Sequence, residues 1–167
     1  MKKRILTWLC LLAFLFLCAC GKKDVELQVP VNFYYCNEEI SYNSSFGVIR
    51  PEAREAEDFY EDASKLFSVY LDGPVSAELV SPLPAGTGLV SLEFEEDTAH
   101  LTLTKEFATL SGVKLSTACS CIVMTLSEYA GISQVHFYVK DGLIDNRESL
   151  VVNISDIVLM DHVEQKG

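Results

Sequence analysis

Positive charge is scarce in this chain. Only 13 Lys and Arg stand against 24 Asp and Glu in 167 residues, a formal net charge of −11. That balance argues against a nucleic-acid partner, because no basic face exists to hold phosphates. Phosphate-cradling loops are missing too: Gly86-Thr87-Gly88 leads into a strand pattern, with no following Lys or helix start, and reads as a turn. Ser120 lacks the flanking glycines of a nucleophile elbow. The acids between Glu52 and Asp62, opposed only by Arg54, do not have the spacing of a calcium-binding EF-hand loop. They read instead as a solvated helix start, where the helix dipole favours carboxylates. There is no internal repeat and no low-complexity tract. What remains, 49% hydrophobic and 22% charged, is the composition of one globular domain.

The one long apolar run, Ile5 to Ala19, is broken only by Thr7 and preceded by Lys2-Lys3-Arg4. It is short for a membrane span, which takes about 20 apolar residues. A positive segment followed by such a run is the pattern of an export signal. Its end, Leu17-Cys18-Ala19-Cys20, resembles the bacterial lipobox, in which the final cysteine receives lipid. Cys20 is thus the expected lipidation site, with residues 1–19 as signal peptide and 20–28 as a charged tether. Two acyl chains would hold the protein on a bilayer, at the outer face of the bacterial cytoplasmic membrane. From Cys20 onward 10 basic residues face 24 acidic ones, a net −14.

With Cys10, Cys18 and Cys20 assigned to the leader and anchor, Cys36, Cys119 and Cys121 remain, and an odd number cannot all pair internally. Cys119 and Cys121 are two apart on a helical pattern and point to different sides, unsuited to bridging each other. Three readings stay open: free buried thiols, a bridge from Cys36 to either partner, or a metal site on Cys-x-Cys. The last lacks nearby Cys or His to complete four ligands.

The domain is expected over residues 29–162, with 163–167 as a tail. Val29 to Cys36 is rich in β-branched and aromatic residues and predicts a strand; a second follows at Ile40 to Tyr42 or at Val48 to Arg50. Pro51 suits a helix's first turn. Phe59, Ala63, Leu66, Phe67, Tyr70 and Leu71 then recur at helical spacing, up to a stop at Asp72-Gly73-Pro74. Val90, Leu92 and Phe94 alternate with Ser91, Glu93 and Glu95, and Ala99, Leu101 and Leu103 with His100, Thr102 and Thr104, predicting an antiparallel hairpin turned at Glu96-Asp97. From Leu115 the period becomes helical, with a stripe of Ala118, Cys119, Ile122, Val123, Leu126 and Tyr129 and with Cys121 off its centre, ending at Gly131. A strand through Val135, Phe137 and Val139 and an apolar segment from Leu150 to Met160 complete the pattern. The fold class is α+β, with two main helices on one face of a largely antiparallel sheet.

Three segments carry a family resemblance: Val48-Ile49-Arg50-Pro51-Glu52-Ala53-Arg54, Tyr70-Leu71-Asp72-Gly73-Pro74, and Leu79 through Thr87 with its Pro82-Leu83-Pro84-Ala85-Gly86 core. With Ile122 to Leu126 and Gly131 to Phe137, they resemble the GerMN domain, a family named for a bacterial sporulation and spore-germination protein. The resemblance covers roughly Val29 to Gly142. It implies a fold like the ring-building domains of secretion and sporulation channels, no catalytic residues, no cofactor, and a role in assembly. Arg54, Leu71, Gly73, Pro74, Pro84, Gly86 and Thr87 are the motif positions with a structural role. The founding member has two such domains, whereas this sequence carries one.

Two rival readings rest on particular side chains. His100, His136 and Glu93 fall on polar strand faces and could converge into a metal or acid–base site if their strands are neighbours, although nothing supplies a positioned nucleophile. Tyr34, Tyr42 and Tyr138 would line the pocket of a small-ligand or cell-wall-fragment binder. Against these stands an interaction module whose sheet edges recruit protein partners or a second copy.

Overall fold

Alternation in Val31, Phe33 and Tyr35 buries one face of the first strand, and the chain is built outward from it. The computed structural model describes residues 30–38, 48–55 and 62–157. The expected signal peptide, Cys20, the tether, the strand alternative at Ile40 to Tyr42, Phe59, His162 and the C-terminal tail lie outside the described residues.

Strand β1 (Val31–Asn37) pairs antiparallel with β2 (Ile49–Arg54) on one side and β3 (Leu79–Val80) on the other. Pro51 is in β2, opposite Tyr34, and does not open a helix. The Tyr34 N–H instead goes to Thr125 Oγ1 at 3.0 Å and its carbonyl accepts from the Tyr70 hydroxyl at 3.2 Å. Both backbone groups of Tyr34 therefore point away from β2, and a proline opposite it forfeits no ladder bond on this edge strand.

Helix α1 (Ala63–Leu71) starts at Asp62, whose carboxylate accepts from the N–H groups of Ser64 and Lys65 at 3.0 and 3.1 Å. This is an N-cap. No acidic residue lies in the first turn of α1; of the described acids in the expected helix start, Asp62 caps the helix and Glu52 lies in β2, and residues 56–61 lie outside the described residues. The stop is as expected: Asp72 ends the helix, the Gly73 N–H bonds the Tyr70 carbonyl at 3.1 Å, and the φ of +89° at Gly73 turns the chain out of the helix.

The second sheet has the order β4 (Leu89–Glu95), β5 (Thr98–Leu103), β6 (Gln134–Val139), β7 (Leu150–Asn153). The β4–β5 hairpin is antiparallel, with a bulge between Leu89 and Ser91. β5 and β6 are parallel, and the connection between them holds α2 (Gly112–Ala130). A parallel pair cannot be closed by a tight turn, and the long helix is its crossover. The result is α+β with mostly antiparallel pairing, divided between two sheets and not continuous in one.

Helix α2 lies against β1 and also packs on β6 and β7. Its buried arc is wider than the expected stripe: Cys121 and Thr125 are fully buried, because β1 covers the flank of the helix that a single sheet would leave open. Tyr35 and Tyr70 stack at 5.0 Å, and Phe107 stacks on Phe137 at 5.9 Å. These rings and Leu66, Leu101, Leu103, Ile122 and Leu126 form one core. Among the described residues no helix is long and apolar enough to cross a membrane.

Candidate functional site

Period-two alternation sends Ala99, Leu101, Leu103, Val135, Phe137 and Val139 into the core and leaves the intervening residues on the opposite face of the four-stranded sheet. Register makes Glu93, His100 and His136 direct neighbours across β4, β5 and β6. The two imidazoles lie 5.0 Å apart, centre to centre, in an edge-on arrangement, and Tyr138 stacks on His100 at 6.2 Å. His100 Nε2 is 3.6 Å from the carboxylate of Glu95, one pleat along from Glu93. An open depression of about 420 Å³ follows this face, lined by Ser91, Glu93, Glu95, His100, Thr102 and Tyr138.

The convergence of His100, His136 and Glu93 is thus real, but the carboxylate that reaches the imidazole is Glu95. Sheet twist brings diagonal neighbours within reach, which a register count along the sequence misses. Among the described residues, no group of three or more His, Cys, Asp and Glu is placed to hold a metal ion. The face offers carboxylates, hydroxyls, imidazoles and one phenol ring on a shallow surface, a chemistry of recognition by hydrogen bonds and ring contacts.

The tyrosines expected to line a pocket do not gather. Tyr34 belongs to the other sheet, where its hydroxyl donates to Glu128 at 2.7 Å and Asn32 donates to the same carboxylate. Burial and the Glu128 bond push the Tyr34 phenol up to about 12. Tyr42 lies outside the described residues.

The motif positions build two corners. Arg54 lies over the Phe33 ring, 5.3 Å from its centre, donates to the Gly73 carbonyl at 2.6 Å and pairs with Glu52 at 2.6 Å. Glu52 in turn accepts from the N–H groups of Val75 at 3.0 Å and Ser76 at 2.7 Å. Burial works against its charge, but those N–H groups and the guanidinium outweigh it and hold the carboxyl below its usual range. The pair clamps β2 to the segment leaving α1, where Leu71, Gly73 and Pro74 lie. In the second corner Thr87 donates to the Pro84 carbonyl through its N–H at 3.1 Å and its hydroxyl at 2.8 Å, with Gly86 at φ +84°. This is a type II turn, which requires a left-handed residue at that position. Thr104 then accepts from the Gly88 N–H at 2.9 Å and fixes the turn to β5.

This order of strands and helices, with its clamped corner and prolyl turn, defines a two-sheet α+β domain. The family model Germane, sporulation and spore germination, matches residues 32–144, and the chain belongs to that family. Among solved structures, the first GerMN domain of the sporulation protein GerM from Bacillus subtilis matches with TM-score 0.54 and 17% identity, over 80% of this chain and 99% of that one. The tandem GerMN domains of the same protein match with TM-score 0.54 and 19% identity, over 77% of this chain and 46% of that one. A candidate lipoprotein from Clostridium perfringens matches with TM-score 0.48 and 19% identity, over 80% and 94%. At these identities the likeness shows the fold alone. No curated protein matches the sequence.

Proposed function

We propose that this chain is a non-catalytic, lipid-anchored interaction module of the GerMN type, held by Cys20 at the outer face of the cytoplasmic membrane and working in an envelope or sporulation-related assembly. The observation that carries this reading is the polar face of the four-stranded sheet, which the other described residues leave open. His100, Tyr138, Glu93 and Glu95 lie there, flanked by the outermost strands β4 and β7. A shallow polar face supports contact with a protein surface better than enclosure of a small molecule, whose pockets are concave and mostly apolar. Exposed Val151, opposite His136 on β7, adds apolar contact area to this face. Membership of a sporulation and spore-germination family supports the assembly context.

The anchor and the docking role are tested separately. Cys20→Ser should release the protein from the membrane fraction or leave it unprocessed, and unchanged membrane lipidation would refute the anchor. Crosslinking of the intact protein in cells, followed by mass spectrometry, should give reproducible contacts from the four-stranded sheet to another chain. A consistently uncrosslinked monomer whose melting temperature responds to cell-wall fragments would refute the docking role.

A further inference from the structure

Two thiols that the proposed role does not use face one another across the junction of the sheet and the long helix. Cys36 is on β1 and Cys121 on α2, and the two elements meet in register: Asn32 and Tyr34 reach Glu128, the Tyr34 N–H reaches Thr125, and one turn further back along α2 Cys121 faces Cys36. Thr125, one turn along α2 from Cys121, accepts from the Tyr34 N–H at 3.0 Å and donates to the Cys121 carbonyl at 2.8 Å, which pins the helix to β1 two residues from Cys36. Cys36 is half-buried and reachable, whereas Cys121 is fully covered. Cys119 belongs to the hydrophobic core on another side of the helix, where burial pushes its thiol up to about 12.

We infer that Cys36 and Cys121 are a disulfide-forming pair, which a small-molecule or protein disulfide oxidises to a cystine joining β1 to α2 while Cys119 stays a thiol. The order of events follows from the environment. Donation from the Cys121 S–H holds the Cys36 thiol below its usual range, and the same bond, with burial, raises Cys121. The Cys36 thiolate attacks one sulfur of the oxidant, the oxidant's S–S bond breaks, and one thiolate leaves. Cys121 then gives up its proton and attacks Cys36 Sγ, expelling the oxidant's second sulfur as thiolate. The protein loses two electrons and two protons, and the oxidant disulfide becomes two thiols. The extracytoplasmic address proposed above would expose the pair to such oxidants, but the pairing itself rests on the register of α2 against β1 and not on that address.

The test is peptide mapping of the full-length protein, alkylated in denaturant immediately after harvest and, in a second sample, after incubation with oxidised glutathione. The expected result is a Cys36–Cys121 cross-linked peptide about 2 Da lighter than its two reduced halves together, lost on reduction, with Cys119 alkylated. Linkage that appears only after oxidised glutathione supports the pair and counts against the address. Alkylation of both Cys36 and Cys121 after oxidised glutathione, or linkage of Cys36 to Cys119, overturns the inference. As a second readout, the melting temperature of the wild type should rise by several degrees on oxidation. That rise should vanish in Cys36→Ala and Cys121→Ala and persist in Cys119→Ala; its loss in Cys119→Ala alone also overturns the inference.

Discussion

Glu52 holds the corner between β2 and the end of α1, and replacing it with alanine should cost about 3 kcal/mol of stability. Its carboxylate takes the Val75 and Ser76 N–H groups and the Arg54 guanidinium, and the two ionic side chains are only 11% and 15% exposed. Hydrogen bonds to a charged group contribute about 1.5–3 kcal/mol each, and breaking a buried pair by removing one partner costs about 3–5 kcal/mol. Arg54 keeps its bond to the Gly73 carbonyl and its place on the Phe33 ring, which argues for the lower end of that range. A pH signature accompanies the loss. Because the folded state holds the Glu52 carboxyl below its usual value, its contribution is present above the unfolded carboxylate pKa of about 4.3 and disappears as pH falls through the lower, folded value. Urea unfolding followed by circular dichroism, at pH 7 and at steps down to pH 3, measures both effects. The Glu52→Ala protein should be less stable at pH 7 and should lose less of its remaining stability in acid than the wild type. A change below about 0.5 kcal/mol at pH 7, or an acid slope equal to that of the wild type, would refute the clamp.

Three further substitutions probe other parts of the frame. A Cβ added at Gly73 meets no atom within 4 Å, so the cost of Gly73→Val is set by the φ of +89°; a loss of about 1–2 kcal/mol is expected, and an unchanged melting temperature contradicts the cap. Thr125→Val keeps the shape of a fully buried side chain but strands the Tyr34 N–H, and should cost about 1–3 kcal/mol in urea unfolding. An effect within error would mean that Tyr34 has another acceptor. Leu126→Asp places a charge in the core against Ile122 and β-sheet side chains, and should abolish cooperative unfolding; native-like circular dichroism and melting would contradict the helix register.

The parts legible in the sequence were those with a local cause. The β4–β5 hairpin shows in alternation alone, and Gly73 and Gly131 mark helix ends because both adopt left-handed φ values, +89° and +68°. Pro51 misled because its usual helical meaning depends on what lies opposite, and here the groups facing it point to Thr125 and Tyr70. Helical periodicity puts Cys121 off the centre of the stripe because it counts one buried face, whereas α2 meets both β1 and the four-stranded sheet. The parallel β5–β6 pair has no turn signature, since its connection is a whole helix. At the candidate face, the alternation revealed Glu93, His100 and His136. The Glu95–His100 contact depends on sheet twist, and the stacking of Tyr138 on His100 on strand order; neither is written in a local pattern.

The central claim is that the four-stranded sheet docks onto another protein. A photoreactive residue placed in turn at Val151, at Glu93 and, as control, at Val113 on the exposed start of α2 reads this directly in intact cells. The account predicts crosslinks to another chain from Val151 or Glu93 and none from Val113. Crosslinks from Val113 alone, or none from any of the three, would contradict it.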